Sequence, residues 1–287
     1  MLVSQGFDAA LAGVLGLMLG SFLNVVIHRL PKMMEQQWAD ECAALQGQEP
    51  AQEPEQTPAY NLATPRSACP HCGRAIRWYE NIPVFSYLAL RGRCSSCGKG
   101  IGLRYPLVEA VTGLLFAWCV WRWGVTPQAL AWCGFSATLL TLALIDWDTT
   151  YLPDSLTQPL LWAGLIVTAL GWNTDPRLTL ATSLWGAVAG YLSLWLIYWS
   201  FKLATGKEGM GFGDFKLFAA LGAWFGWGAL IPIILMSSVA GAVIGIALKL
   251  RQSLREGGYL PFGPFLAAAG FVAMFCGTEA LIRFIGL

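Results

Sequence analysis

The sequence predicts an all-α, polytopic integral membrane protein of about eight transmembrane helices with one small cytoplasmic segment. Three observations carry this. The chain of 287 residues is 56% hydrophobic and only 12% charged, about half the charge of a soluble domain. Its mean hydropathy is +0.54. The uncharged residues gather into tracts near the roughly 20 residues a helix needs to cross a bilayer. Half of the 18 Lys and Arg residues lie in one stretch, Arg29 to Arg104.

Residues 9–27 form the first span. No basic residues precede it, Arg29 and Lys32 follow it, and no small-residue cleavage site comes after. It is therefore expected as a permanent helix within 1–28 rather than a removable signal. Residues 105–121 make the next span, interrupted by Glu109, and uncharged tracts follow at 123–145, 155–174, 178–201 and 257–278. The 32-residue tract 217–248 is too long for one crossing, and Gly226, Gly228 and Pro232 punctuate it. Two short or tilted helices are expected there. The tracts are continuous rather than alternating, which argues against a β-barrel.

Basic residues favour the cytoplasmic side. Eight crossings put 15 of the 18 Lys and Arg inside and leave Arg122, Arg177 and Arg283 outside. One crossing at 217–248 would make the split 13 to 5. Both termini are then expected on the outer face, and residues 29–104 in the cytoplasm. Within that segment, residues 36–60 are rich in Gln, Glu, Ala and Pro and have no basic residue. Such a composition buries little apolar area and predicts a loosely helical or disordered insert.

Two C-x-x-C pairs follow, "CPHCG" at 69–73 and "CSSCG" at 94–98. Four thiolates from Cys69, Cys72, Cys94 and Cys97 suit a closed tetrahedral Zn²⁺ site, structural rather than catalytic, within 66–104. A glycine after each pair permits the positive-φ turn that lets backbone N–H groups face sulfur. A reducing cytoplasm disfavours two disulfides, and a thioredoxin-like motif would need a βαβ context. His71 is read as a bystander, and Cys42, Cys119, Cys133 and Cys276 as packing residues.

Acids at bilayer depth are costly and mark function. The candidates are Glu109, Asp146, Asp148, Asp154, Asp214 and Glu279. Glu279 precedes Arg283 by four residues, a favourable helical pair. Asp154 follows Pro153 at a span's start and is expected as an N-cap. Asp148 lies beyond the third span, within reach of water. Glu109 has two open uses, an ion pair with a residue such as Arg104 or a place in a site. Asp146 ends the third span, and Asp214 opens the sixth in "GMGFGDFKL" (209–217). Both fall at the cytoplasmic boundary of a core formed by 105–287, where two carboxylates sharing one proton supply a base and an acid. Capping by Asp214 competes with this reading. "GMGFG" lacks nucleotide-fold context, and "TGKEG" is not a phosphate loop because Glu208 follows Lys207. A proton-relay transporter and a non-catalytic zinc-bearing scaffold are the rival classes.

Taken together, "GSFLNVVIHRLP" (20–31), the two cysteine pairs, "RYPLVE" (104–109), "LIDWDTTYLPDSLT" (144–157) and "GMGFGDFKL" resemble the type IV prepilin peptidase family, GxGD intramembrane aspartyl proteases. The motifs come in the family's order and cover nearly the whole chain. The resemblance implies that Asp146 and Asp214 are the catalytic pair and that the four cysteines are the metal ligands. It also implies removal of the basic leader of type IV prepilins or type II secretion pseudopilins at the cytoplasmic face, and N-methylation of the new terminus from S-adenosylmethionine. The expected setting is the bacterial inner membrane, with substrates in the bilayer and no nucleic acid partner. No methyl-donor residue can be read from the sequence.

Overall fold

The computed structural model describes residues 2–46, 60–173, 175–251 and 260–286. Among them every extended element is a helix, and the only β-pairing is two isolated bridges, Ala68 to Ala75 and Arg93 to Gly100. The chain divides into two compact units, Met1–Cys133 and Gly134–Leu287.

The first unit is built on α1 (Leu2–Leu45). This helix does not stop at residue 28 where its apolar tract ends. It runs on through Pro31 and through 36–45 of the expected insert, because Met, Glu, Gln, Ala and Leu all favour helix. The rest of the insert, 47–59, lies outside the described residues. After the tetracysteine segment and the short α2 (Phe85–Ala89) comes α3 (Arg104–Trp123). α1 and α3 meet along a seam of small residues, the usual way for membrane helices to bring backbones together. A Cβ at Gly20 would lie 2.7 Å from the Glu109 Cα, and one at Gly16 would lie 2.8 Å from the Thr112 carbonyl. Gly124, at φ +70°, ends α3. α4 (Pro127–Thr149) starts four residues later than its uncharged tract, with proline at its first position.

The second unit contains the rest of α4, then α5 (Asp154–Ala169) and α6 (Leu180–Thr205). The tract 217–248 is divided, as its punctuation predicts. α7 (Phe212–Phe225) ends at Gly226, at φ +77°, and α8 (Leu230–Leu250) begins after one turn of 3-10 helix. α9 (Gly263–Cys276) and α10 (Thr278–Ile285) complete the unit.

α7 is its centre. Leu217 to Gly226 are all buried, the pattern of a helix apolar all round and enclosed on every side. Its backbone touches that of α6 directly, since a Cβ at either Gly186 or Gly222 would collide with the other's carbonyl. Across the same seam the Ser183 hydroxyl donates to the Ala223 carbonyl. On the α5 side the Trp224 indole lies over Gly164 and donates to the Leu160 carbonyl at 2.8 Å.

The outer helices reverse the soluble pattern. On α6, Leu184, Trp185, Leu192, Leu196 and Ile197 are exposed, an apolar surface too continuous for water. The helices α1, α4, α6 and the α8 region are each long and apolar enough to cross a membrane.

Candidate active site and metal centre

Asp146 lies in the last turn of α4, and Asp214 in the first turn of α7. Both are buried, 4% and 6% exposed, and they lie within electrostatic range of each other. Their surroundings differ. The Asp146 Oδ2 accepts the Gly263 backbone N–H at 2.9 Å. The Asp214 Oδ1 is buried without a hydrogen-bond partner among the described residues. A buried carboxylate oxygen left unsatisfied costs free energy, so it calls for a functional explanation.

Capping does not account for that oxygen. Gly211 is the N-cap of α7 and Asp214 is the third residue of the helix, where its carboxylate takes a backbone bond from Gly211 yet Oδ1 stays without a partner. The glycines of "GMGFGD" serve close approach rather than unusual torsion, because Gly211 has an ordinary φ of −82°. A Cβ on Gly213 would lie 2.6 Å from the Leu152 Cβ, and one on Gly263 would lie 2.6 Å from the Asp146 Oδ2 and 3.3 Å from the Leu152 Cδ1. Leu152 is therefore wedged between two glycines beside the acids. The chain reaches that position by reversing at Thr150, whose φ is +60°. Thr149 secures the reversal, its hydroxyl donating to the Ile145 carbonyl and accepting the Tyr151 N–H.

Asp154 departs from expectation. The N-cap of α5 is Pro153, and Asp154 instead pairs with Lys216 at 2.6 Å, joining the starts of α5 and α7. Glu279 pairs with Arg283 as its spacing predicts, and also with Arg177 at 3.1 Å. Asp148 is exposed. Glu109, in α3, takes the Val84 N–H at 2.8 Å. Sequence reasoning missed Gly263 and Lys216. The one local signal for Gly263 was the turn-like "PFGP" (261–264), which has no spacing relation to Asp146.

The four cysteines of 66–104 converge, their sulfurs all within 4.8 Å of one another. The two pairs are built alike. Gly73 donates to the Cys69 carbonyl and Gly98 to the Cys94 carbonyl, each at 2.9 Å, and both glycines have φ of +69°. The turn turns N–H groups onto sulfur. Backbone donation from Cys97 and Ser96 brings the Cys94 thiol down to about 6, and donation from His71 and Cys72 lowers that of Cys69. Arg74 ties one pair to the other, donating to the Ser95 hydroxyl at 2.8 Å while Glu80 accepts from Ser95 at 2.6 Å. All four are free thiols, a donor set that fits a metal ion. Of the other cysteines, Cys119 and Cys133 pack as expected, whereas Cys42 and Cys276 are exposed.

Residues 14–123 match the model of the bacterial peptidase A24 N-terminal domain, and residues 133–246 that of the type IV leader peptidase family. The chain belongs to the type IV leader peptidase family. It is 52% identical to a prepilin leader peptidase/N-methyltransferase of Pseudomonas aeruginosa, over 95% of this chain and 93% of that protein. A protein of the same name from Burkholderia pseudomallei is 52% identical over 95% of this chain and 87% of its own. One from Stutzerimonas stutzeri is 52% identical over 93% and 90%. No solved structure matches the chain. Asp146 and Asp214 both fall within the segment matched to the leader peptidase family, and the four cysteines within the N-terminal domain match.

Proposed function

We propose that this enzyme cleaves the leader of type IV prepilins or type II secretion pseudopilins with Asp146 and Asp214, and then N-methylates the exposed terminus. The observation that carries the site assignment is the unsatisfied Asp214 oxygen beside Asp146. Two neighbouring carboxylates hold a single proton more readily than two negative charges. The ionised member takes a proton from water as that water attacks the scissile carbonyl. The protonated member donates to the carbonyl oxygen, and the proton then passes to the leaving amine. The Gly263 N–H, given to Asp146, holds that carboxylate in place. Gly211, where a Cβ would meet only the Asp214 Oδ2 at 3.7 Å, leaves room for an extended substrate backbone.

The four cysteines would hold one Zn²⁺ as a structural clamp on 66–104. S-adenosylmethionine would supply the methyl group. The remaining helices are read as eight crossings of the bacterial inner membrane, with the active site and residues 29–104 on the cytoplasmic side and both termini periplasmic. This reading draws support from the apolar helix surfaces and from the bias of Lys and Arg toward one side.

The test is leader removal from a membrane-embedded prepilin. Asp146→Asn and Asp214→Asn should each abolish cleavage while the protein stays folded, and both should still methylate a substrate supplied already trimmed. Asp148→Asn should retain turnover. Near-normal cleavage by folded Asp214→Asn would overturn the dyad.

A further inference from the structure

Residues 77–104 set an apolar, aromatic run inside a basic frame. The 3-10 turn Trp78–Asn81 and α2 present Trp78, Ile82, Phe85 and Leu88 to the outside. Phe85 and Leu88 are three residues apart on one face of α2, and each is 66% exposed. Tyr87 is used internally, its hydroxyl donating to the Ile101 carbonyl and its ring lying against Gly92. Arg77, Arg91 and Arg93 flank the run from exposed positions. The stretch 77–104 holds five basic residues and a single acid, Glu80, which pairs with Arg74. Kept in water, four such side chains would forgo the burial free energy of large apolar groups.

Two contacts fix the depth of this run. Glu109 of α3 accepts the Val84 N–H at 2.8 Å, where the chain turns into α2 with a φ of +59°. The Glu109 Cα in turn packs against Gly20 of α1. Glu109 lies five residues past Arg104, and Gly20 lies nine before Arg29. At about 1.5 Å per residue, α2 begins roughly 8–13 Å inside the basic border of the two helices. An amphipathic segment lying in a bilayer interface buries its apolar face about 5–10 Å into the boundary of headgroups and acyl chains. We propose that 78–88 is an interfacial anchor. Trp78, Ile82, Phe85 and Leu88 insert into the cytoplasmic leaflet among anionic lipids, and Arg77, Arg91 and Arg93 meet the headgroups. The anchor rests on the reading of α1 and α3 as helices that cross that leaflet. A phospholipid supplies both halves of the match, acyl chains for the apolar side chains and phosphate for the guanidinium groups. A prepilin fits less well, because its basic leader would meet a basic rim.

The test places a benzophenone amino acid at Phe85, Leu88, Leu114 or Ser96 of the full chain. Each protein is held in nanodiscs of phosphatidylethanolamine and phosphatidylglycerol in equal parts, with prepilin added or omitted. Leu114, exposed on α3, is the lipid-facing control, and Ser96, exposed between two of the cysteines, is the aqueous one. Adducts formed on irradiation are identified by mass spectrometry. Lipid adducts are expected from the Phe85, Leu88 and Leu114 positions and not from Ser96. The ratio of phosphatidylglycerol to phosphatidylethanolamine should be about fivefold higher at Phe85 than at Leu114. Combining Arg77→Gln, Arg91→Gln and Arg93→Gln should erase that difference while the melting temperature holds. Lipid adducts at Leu114 but not at Phe85 and Leu88 overturn the anchor and leave the membrane reading of α3 standing. No lipid adduct at any of the three overturns both. Label passing from Phe85 and Leu88 to prepilin in place of lipid gives the face to the substrate and overturns the anchor. Equal headgroup ratios at Phe85 and Leu114 overturn the part given to the arginines.

Discussion

Gly263→Ala isolates one interaction that no sequence motif announces. The glycine has no positive φ and opens α9, so alanine suits its backbone and slightly favours the helix. The added methyl, however, would stand 2.6 Å from the Asp146 Oδ2. An ordinary contact needs about 3.4 Å, so the carboxylate must retreat by roughly 0.8 Å. Misplacing a reacting group by about 1 Å can cost on the order of 100-fold in rate. A second route gives a similar size. The retreat weakens the hydrogen bond from the Gly263 N–H, and a bond to a charged group contributes about 1.5–3 kcal/mol. At about 1.36 kcal/mol per tenfold, that is roughly 10- to 150-fold. Cleavage by Gly263→Ala should therefore fall about 10- to 100-fold in kcat, with thermal stability unchanged or slightly raised. The assay is single-turnover leader removal from a prepilin in detergent micelles, run beside a thermal melt. Wild-type cleavage by the folded variant would show that Asp146 does not depend on that N–H. A parallel loss of stability would show that the glycine serves packing alone.

Two further outcomes follow from the packing and the cysteines. Gly222→Leu drives a side chain into the α6 backbone, and overpacking of this kind costs about 1–3 kcal/mol or more. The melting temperature should drop by roughly 3–10 °C, whereas Val188→Leu on the exposed face of α6 should leave it unchanged; equal melting of the two variants would contradict the seam. Protein prepared without chelator should hold about one Zn²⁺ per chain, and Cys94→Ser should lose the metal and expose 66–104 to limited proteolysis. Elemental analysis finding no zinc in the wild type would refute this.

What the sequence revealed, and what it did not, divides by range. The break at Gly226 and the turns at Gly73 and Gly98 depend on residues a few positions apart, and pattern reading recovers them. The proximity of Asp146 and Asp214 was legible because each acid lies at or near the border of an uncharged tract, where its cost demands a use. The partners of those acids were not legible. Gly263 lies 117 residues from Asp146 and Lys216 lies 62 from Asp154; both contacts arise from helices meeting in three dimensions, and neither leaves a local signature. Asp154 shows the error this produces. Its position after Pro153 favours capping by every local rule, and an ion pair from another helix took the side chain instead. The continuation of α1 past residue 28 has a different cause. Charge marks where a span leaves the bilayer, but helix propensity ignores that border.

The enclosure of α7 bears on how the bilayer can influence the enzyme. At 14 residues the helix is about 21 Å long, well short of the roughly 30 Å hydrocarbon layer. A helix that contacts lipid must tilt, stretch its surroundings or thin them to match that thickness. α7 is encased by protein from Leu217 to Gly226, so its length answers to its neighbours and not to the lipid. Changes in bilayer thickness load the exposed faces of α6 and α8 first. The depth of Asp214 is set by the glycine seam with α6 and by the Trp224 bond to α5, which makes the acid's height a property of the protein rather than of the membrane that holds it.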